Sequence, residues 1–202
     1  MWEEIGGLQF DFLVEQGLEP SHSLLDVGCG SLRGGVRFVR YLDPGRYYGV
    51  DRQGSLLKAG EKELAHAGLA DKGATLLRDE SFRFGRLHRT FDYALAQSVF
   101  SHLPFNSIMR CLAEMETALV PSGRFFATFF ASPGPRLRID EVLLDQQKET
   151  WTGRVFCDAD PYFYDPDIFR WAVEGSSLSC RVHGEWGHPA RQQMLVFTKQ
   201  TP

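Results

Sequence analysis

Three acidic residues stand at the ends of apolar runs. Asp26 lies in Leu24-Leu25-Asp26-Val27, Asp51 closes Tyr47-Tyr48-Gly49-Val50-Asp51, and Asp79 follows Ala74-Thr75-Leu76-Leu77 by one residue. The first run passes straight into Gly28-Cys29-Gly30-Ser31-Leu32-Arg33-Gly34-Gly35. Glycines let a ligand come close to the backbone and take positive φ at little cost. Amides at the start of a following helix are then expected to face the ligand. Two ligand chemistries use such a turn. A dinucleotide site follows G-x-G-x-x-G and lays a pyrophosphate on the helix N-terminus. Here Arg33 holds the third glycine position, and Asp26 adds negative charge just ahead of Gly28. That suits a ligand carrying an ammonium and a sulfonium better than a pyrophosphate. An acid about twenty residues past the loop accepts both hydroxyls of a ribose. Asp51 fills that place, which marks a nucleoside without choosing between the two chemistries. A carboxylate at Asp79 is placed to accept from an adenine amino group.

These residues meet only if a parallel sheet brings their strand ends together. Apolar runs do alternate with amphipathic segments, the pattern of an α/β domain. A helix is expected over Trp2 to Glu15, with Ile5, Leu8, Phe12 and Leu13 on one face, ended by Gly17 and Pro20. Further helices are expected from Arg33 to Leu42, from Gly54 to His66, and on the Ile108, Leu112, Met115, Leu119 spacing. Phe91 to Ala96 reads as a fourth strand, and Pro121-Ser122-Gly123 as a turn into a fifth, Arg124 to Phe130. Residues 131–165 break the rhythm and read as an insertion with some helix from Glu141 to Gln147. Asp165-Pro166 caps a helix running to Glu174 or Gly175. No helix fits between Leu178 to Glu185 and Gln193 to Thr198, so these two stretches should pair antiparallel.

Asp26-Val27-Gly28-Cys29-Gly30, Asp51, Asp79, the stretch from Phe91 to Leu103 and the turn Leu119-Val120-Pro121-Ser122-Gly123-Arg124 together resemble the class I S-adenosylmethionine-dependent methyltransferases. The closing strand pair fits that family's seven-stranded, Rossmann-like sheet with helices on both faces, and it disfavours an NAD-dependent oxidoreductase. The resemblance implies S-adenosyl-L-methionine as cofactor. It sets Gly28, Cys29 and Gly30 against the methionine part and Asp26 near the amino group, with Asp51 on the ribose and Asp79 at the adenine end. The Gln97 backbone then lies beside the reactive methyl. One departure stands out: Leu32 occupies a place where family members often carry another glycine, and Gly34-Gly35 are read as compensating.

A hydroxyl acceptor needs a base, and histidine, with an ordinary pKa near 6.5, is the usual one. His102 follows strand four at the crevice mouth and is the candidate; His188, in the turn of Trp186-Gly187-His188-Pro189, is placed to bind the acceptor. Trp151, Asp158 and Tyr164, within a run that also holds Phe156, Asp160 and Tyr162, bring aromatic faces and carboxylates that suit a sugar or a polar ring. The pair Asp158 and Asp160 is too small a set to assign a metal. Arg33, Arg37 and Arg40 read as a solvated helix face. Residues 1–20 pack over the cofactor as a lid or into the core. The expectation is O-methylation of a small molecule. Transfer to a small amine, or cofactor binding without turnover, are the alternatives.

The whole chain supports this reading. Its 202 residues suit one domain, and a net charge of −4 offers no general attraction to nucleic acid or anionic lipid. No NPPY-like motif of amino-group nucleic-acid methyltransferases follows strand four. The four cysteines form no CxxC pair, and no apolar run reaches membrane-spanning length, so a cytoplasmic location is the default expectation.

Overall fold

The computed structural model describes residues 2–132, 142–143, 154–155 and 160–201. The first half alternates as the sequence implies. Its elements are α1 (Trp2–Glu15), β1 (Leu24–Val27), α2 (Gly35–Tyr41), β2 (Tyr47–Asp51), α3 (Gly54–His66), β3 (Thr75–Arg78), β4 (Phe91–Ala96), α4 (Phe105–Ala118) and β5 (Leu119–Ala131). There follow β6 (Val142–Leu143), β7 (Arg154–Val155), β8 (Phe163–Tyr164), α5 (Asp167–Ala172), β9 (Leu178–Gly184) and β10 (Gln193–Lys199). Among the described residues no helix is long and apolar enough to cross a membrane.

The main sheet runs β3-β2-β1-β4-β5-β10-β9, with β8 joined to the end of β5. β1 to β5 are parallel; β10 pairs antiparallel with both β5 and β9. The chain leaves β1 toward β2 on one side, while β4 flanks β1 on the other. The crevice of a parallel sheet opens at such a reversal, beyond the carboxyl ends of the strands. Gly28, Asp51, Asp79 and Gln97 all follow or close strands that end there.

Side chains alternate across a strand, so each strand feeds two cores. Leu25, Val27, Phe125, Ala127 and Phe129 pack with Ile108, Met115 and Phe169 on the α4–α5 side. Leu24, Tyr47 and Phe126 pack with Phe12, Phe38 and Leu57 on the α1–α3 side. Asp26 and Asp51 share the parity of Leu24 and Tyr47. They therefore face the α1–α3 side, where the glycine loop turns.

Three expectations needed correction. Leu119 does not extend the helix; it is the fully buried first residue of β5, and α4 ends at Ala118. Pro121-Ser122-Gly123 does not precede the fifth strand but lies within it, as a kink with Ser122 at φ +63° and the register to β4 shifted. Val142–Leu143, expected to be helical, instead pairs antiparallel with Arg154–Val155. The ladder supplies those backbone groups with partners that an isolated helical turn would leave to water.

Candidate functional site

The loop after β1 is shaped by what β2 offers it. The carbonyl of Val50 accepts from the amides of Gly28 (2.7 Å) and Cys29 (3.2 Å), and Asp51 Oδ2 accepts from the amide of Gly30 (2.9 Å). These three amides thus turn toward β2 and not toward a ligand, contrary to the expectation for a phosphate-cradling loop. Gly28 and Gly30 adopt φ of +71° and +57°. A Cβ on Gly28 would sit 2.6 Å from Val99 Cγ2, so only glycine lets the loop pass the β4 turn.

Leu32 resolves the departure from the family pattern. It takes positive φ itself (+66°) and is fully buried. A left-handed residue other than glycine costs about 1–2 kcal/mol, and burying a leucine side chain returns about 1.5–3 kcal/mol. The space for it comes from Gly35 and Gly60, where an added Cβ would lie within 2.9 and 2.7 Å of Leu32 side-chain atoms. Gly34 is right-handed (φ −87°), so the Gly34-Gly35 pair supplies room and not backbone freedom. A Cβ on Gly34 would meet Gln9 Oε1 of α1 at 2.2 Å.

Two cavities share Gly28 and Gln97. The smaller, about 260 Å³, is lined by Gln9, Asp26, Cys29, Gly30, Ser31 and Arg33 among others. The larger, about 580 Å³, is lined by Asp51, Gln53, Asp79, Phe82, His102 and Asp160 among others. The first gathers opposite charges of the kind that face an ammonium and a carboxylate. The second has an apolar wall beside an acid, as a nucleoside requires. Gln9 reaches the smaller cavity while Ile5, Phe12 and Leu13 are buried, so α1 both covers the site and packs into the core.

Asp26 is buried, and Tyr47 donates its hydroxyl to Asp26 Oδ2 at 2.6 Å. Burial raises its carboxyl pKa and neighbouring Asp51 adds to this; Tyr47 and Arg33 act against it, and the carboxyl is left at about 6. Asp51 also accepts from the amide of Gln53 (2.7 Å), so it anchors the loop and still has acceptor capacity toward the cavity. The Cys29 thiol is pushed far above its ordinary range by burial and by Asp26, and stays neutral.

Asp79 departs from expectation. Its carboxylate accepts from the amides of Ser81 (2.7 Å) and Arg83 (3.1 Å) and from the guanidinium groups of Arg83 and Arg86 (3.0 Å each). Four donors use its acceptor sites. Burial alone would raise its carboxyl, but these bonds outweigh it and hold it at about 2. Asp79 therefore ties the turn after β3, and the larger cavity gains its position but not a vacant acceptor.

Gln97 carries the clearest sign of a missing partner. It is 8% exposed, its Nε2 donates to Ser98 Oγ (3.0 Å), and its Oε1 is buried with no hydrogen-bond partner among the described residues. Buried polar atoms are nearly always satisfied, so this orphan, on a residue that lines both cavities, is a candidate acceptor for a ligand.

Beyond Gln97, a buried polar network holds the β4 turn. The Ser98 amide donates to Thr128 Oγ1 (2.7 Å), and the hydroxyls of Thr128 (2.6 Å) and Ser98 (3.1 Å) both donate to Gln192 Oε1. His102 emerges from this turn onto the larger cavity. Its Nδ1 lies 2.5 Å from Asp160 Oδ1, and both side chains are about half exposed.

Other expected residues fall elsewhere. Tyr164 donates its hydroxyl to the Leu103 carbonyl and packs on Phe105 and Phe169, so it braces the turn and does not line either cavity. His188 stacks on Trp186, its Nδ1 accepts from the Ala190 amide, and burial followed by Arg33 lowers its pKa to about 4. It is a neutral turn residue outside both cavity walls. Trp151 and Asp158 lie outside the described residues, as does Phe156. Arg33, expected on a solvated face, is half-buried on the wall of the smaller cavity because it precedes α2 and does not belong to it.

Comparison with known proteins agrees with this geometry. A family model described as a methyltransferase domain matches residues 25–125, half of the chain. The CcbJ methyltransferase from Streptomyces caelestis superposes with a TM-score of 0.73 at 13% identity, over 97% of this chain and 90% of that one. Magnesium protoporphyrin IX methyltransferase (ChlM) from Synechocystis PCC 6803, solved with bound SAM, gives 0.67 at 14% identity, over 98% and 81%. A putative rRNA-methylase from Clostridium thermocellum gives 0.67 at 11% identity, over 96% and 95%. At such identities the likeness is one of fold and does not choose the acceptor.

Proposed function

As the chain belongs to the methyltransferase-domain family and is an S-adenosylmethionine-dependent enzyme, we propose that it methylates a hydroxyl of a small polar acceptor, with His102 as general base. The observation that carries the proposal is the placement of His102 on the wall of the cavity that also holds Asp51 and Gln97.

The residues present fit the cofactor. The orphan Gln97 Oε1, on a residue that lines both cavities, is a feature a bound ligand explains. Asp51 would receive the ribose hydroxyls, Asp26 the amino group and Arg33 the carboxylate. When bound, S-adenosylmethionine supplies an electrophilic methyl on a sulfonium that departs as a neutral thioether. The protein's own contributions are alignment, exclusion of water by α1 and the β4 turn, and removal of the acceptor proton. A net charge of −4 and acidic Glu80, Asp51 and Asp160 on the larger cavity favour a small neutral or cationic acceptor over a nucleic acid.

Two measurements test this reading. Calorimetry should give binding of S-adenosylhomocysteine and none of NADH. Turnover should be found with a hydroxyl probe, catechol or a methyl hexoside, in preference to benzylamine. Transfer to the amine alone would replace the hydroxyl reading. Absence of transfer to the hydroxyl probes would overturn the hydroxyl reading.

Asp26 makes cofactor affinity depend on pH. An ammonium binds the carboxylate and competes with a proton for it. With the carboxyl at about 6 in the free protein, affinity for S-adenosylhomocysteine should be highest above that value. Below it, affinity should fall by up to about tenfold per pH unit. Titration calorimetry from pH 5 to 8 reads this directly, and Asp26→Asn should flatten the profile. A wild-type affinity constant across that range would remove Asp26 from the amino-group site.

A further inference from the structure

Resting on the reading of His102 as the base, we propose that Asp160 is the positioning residue that makes it one, by holding the proton on Nδ1 and leaving Nε2 bare for the acceptor. The two residues are 58 positions apart and meet at 2.5 Å on the wall of the larger cavity. Their meeting is built by the fold. The Tyr162 amide donates to the Ser101 carbonyl (2.8 Å), one residue before the histidine, and the Tyr164 hydroxyl donates to the Leu103 carbonyl, one residue after it. β8 pairs with the end of β5 through Phe130–Phe163 and Ala131–Tyr164, and the Ser132 amide donates to the Tyr164 carbonyl (2.9 Å). On the other side, the His102 amide donates to the Val99 carbonyl (2.9 Å), and Gln192 Nε2 reaches Ser101 Oγ (3.4 Å). Contacts on both flanks of His102 thus set the imidazole against the Asp160 carboxylate.

The chemistry follows from the partner. An ionised carboxylate only accepts hydrogen bonds, so the neutral imidazole beside it must carry its hydrogen on Nδ1. Nε2 then presents its lone pair. In the transfer, the acceptor O–H bond breaks and its proton goes to Nε2. With S-adenosylmethionine held by Asp26, Arg33 and Asp51, the oxygen would bond to the methyl carbon as the electron pair of the S–CH₃ bond returned to sulfur. The imidazolium so formed lies beside Asp160, whose negative charge stabilises it. The pair is half exposed, where water weakens the attraction. Losing Asp160 should therefore cost less than losing the base: about tenfold to a hundredfold, the size of effect seen when a residue that orients a metal-binding histidine is removed.

The test needs a readout that is independent of the acceptor. Long-range ¹H–¹⁵N correlation of histidine-labelled protein reports which nitrogen of a neutral imidazole holds the hydrogen. The wild type should show the Nδ1–H form. Asp160→Ala should move His102 toward the Nε2–H form that imidazole prefers in water, and Asp160→Glu should keep Nδ1–H. With the best hydroxyl probe, Asp160→Ala should lower kcat about tenfold to a hundredfold and change KM and S-adenosylhomocysteine affinity by less than about threefold. Asp160→Glu should recover part of that turnover. An Nε2–H histidine in the wild type would overturn the proposal, as would an alanine variant with unchanged tautomer or unchanged kcat. Failure of the methyltransfer reading looks different: wild-type protein with Nδ1–H at His102 that turns over no hydroxyl probe.

Discussion

Gly28→Val should weaken S-adenosylhomocysteine binding by at least about a hundredfold in a protein that still folds. A hundredfold is about 2.7 kcal/mol, and two independent effects reach it. Gly28 sits at φ +71°, where a β-branched residue is strained, and its Cβ would lie 2.6 Å from Val99 Cγ2. Either the loop retreats from the β4 turn or Val99 is displaced, and Val99 lies two residues from Gln97 and three from His102. Both cavities lose their shared wall in either case. The cost to folding should be about 1–3 kcal/mol, the usual range for forcing a residue into a rare backbone conformation. Gly30→Ala provides the contrast. Gly30 also has positive φ, yet nothing lies within 4 Å of an added Cβ. That variant should lose about 1–2 kcal/mol of stability without displacing Val99. Calorimetry together with melting curves, with and without S-adenosylhomocysteine, separates the cases. A folded Gly28→Val protein that gains as much melting temperature from the ligand as the wild type would move the binding site away from this loop.

What the sequence revealed and what it hid follow one division. Asp26, Gly28, Gly30 and Asp51 were legible because strand ends are set by alternation and by the rule that parallel strands open their crevice at the carboxyl end. The antiparallel close of the sheet was legible because the chain between β9 and β10 is too short for a crossover helix. Some misplacements concern partners and others positions. Asp79 stands where expected, but the turn that follows it brings Arg83 and Arg86 back onto its carboxylate; no periodicity announces that. Leu32 could not be read as left-handed, because the room for it comes from Gly60 on another helix. Arg33 fell to the cavity because α2 begins two residues later than the apolar spacing suggests. His102 was visible as a residue after β4, whereas its partner depends on a short strand, β8, near the end of the insertion.

The same distinction governs what removing the base should do. Among the described residues, His102→Ala takes away the one imidazole that lines either cavity, and loss of a general base typically lowers a rate by about 10²–10⁴-fold. The fall should appear in kcat for a hydroxyl acceptor. Affinity for S-adenosylhomocysteine should stay within about threefold, because Asp26 and Asp51, assigned to the cofactor's amino group and ribose, belong to β1 and β2 and not to β4, and His102 is half exposed. Stability should hardly change. The turn keeps its fastening through Ser98, Thr128, Gln192 and the Tyr162 amide, none of which uses the imidazole. Added imidazole should restore part of the lost turnover, since the alanine leaves a space open to solvent beside the acceptor. Near-normal turnover in the variant would contradict the assignment and point to an acceptor atom, such as a neutral amine, that attacks without first giving up a proton.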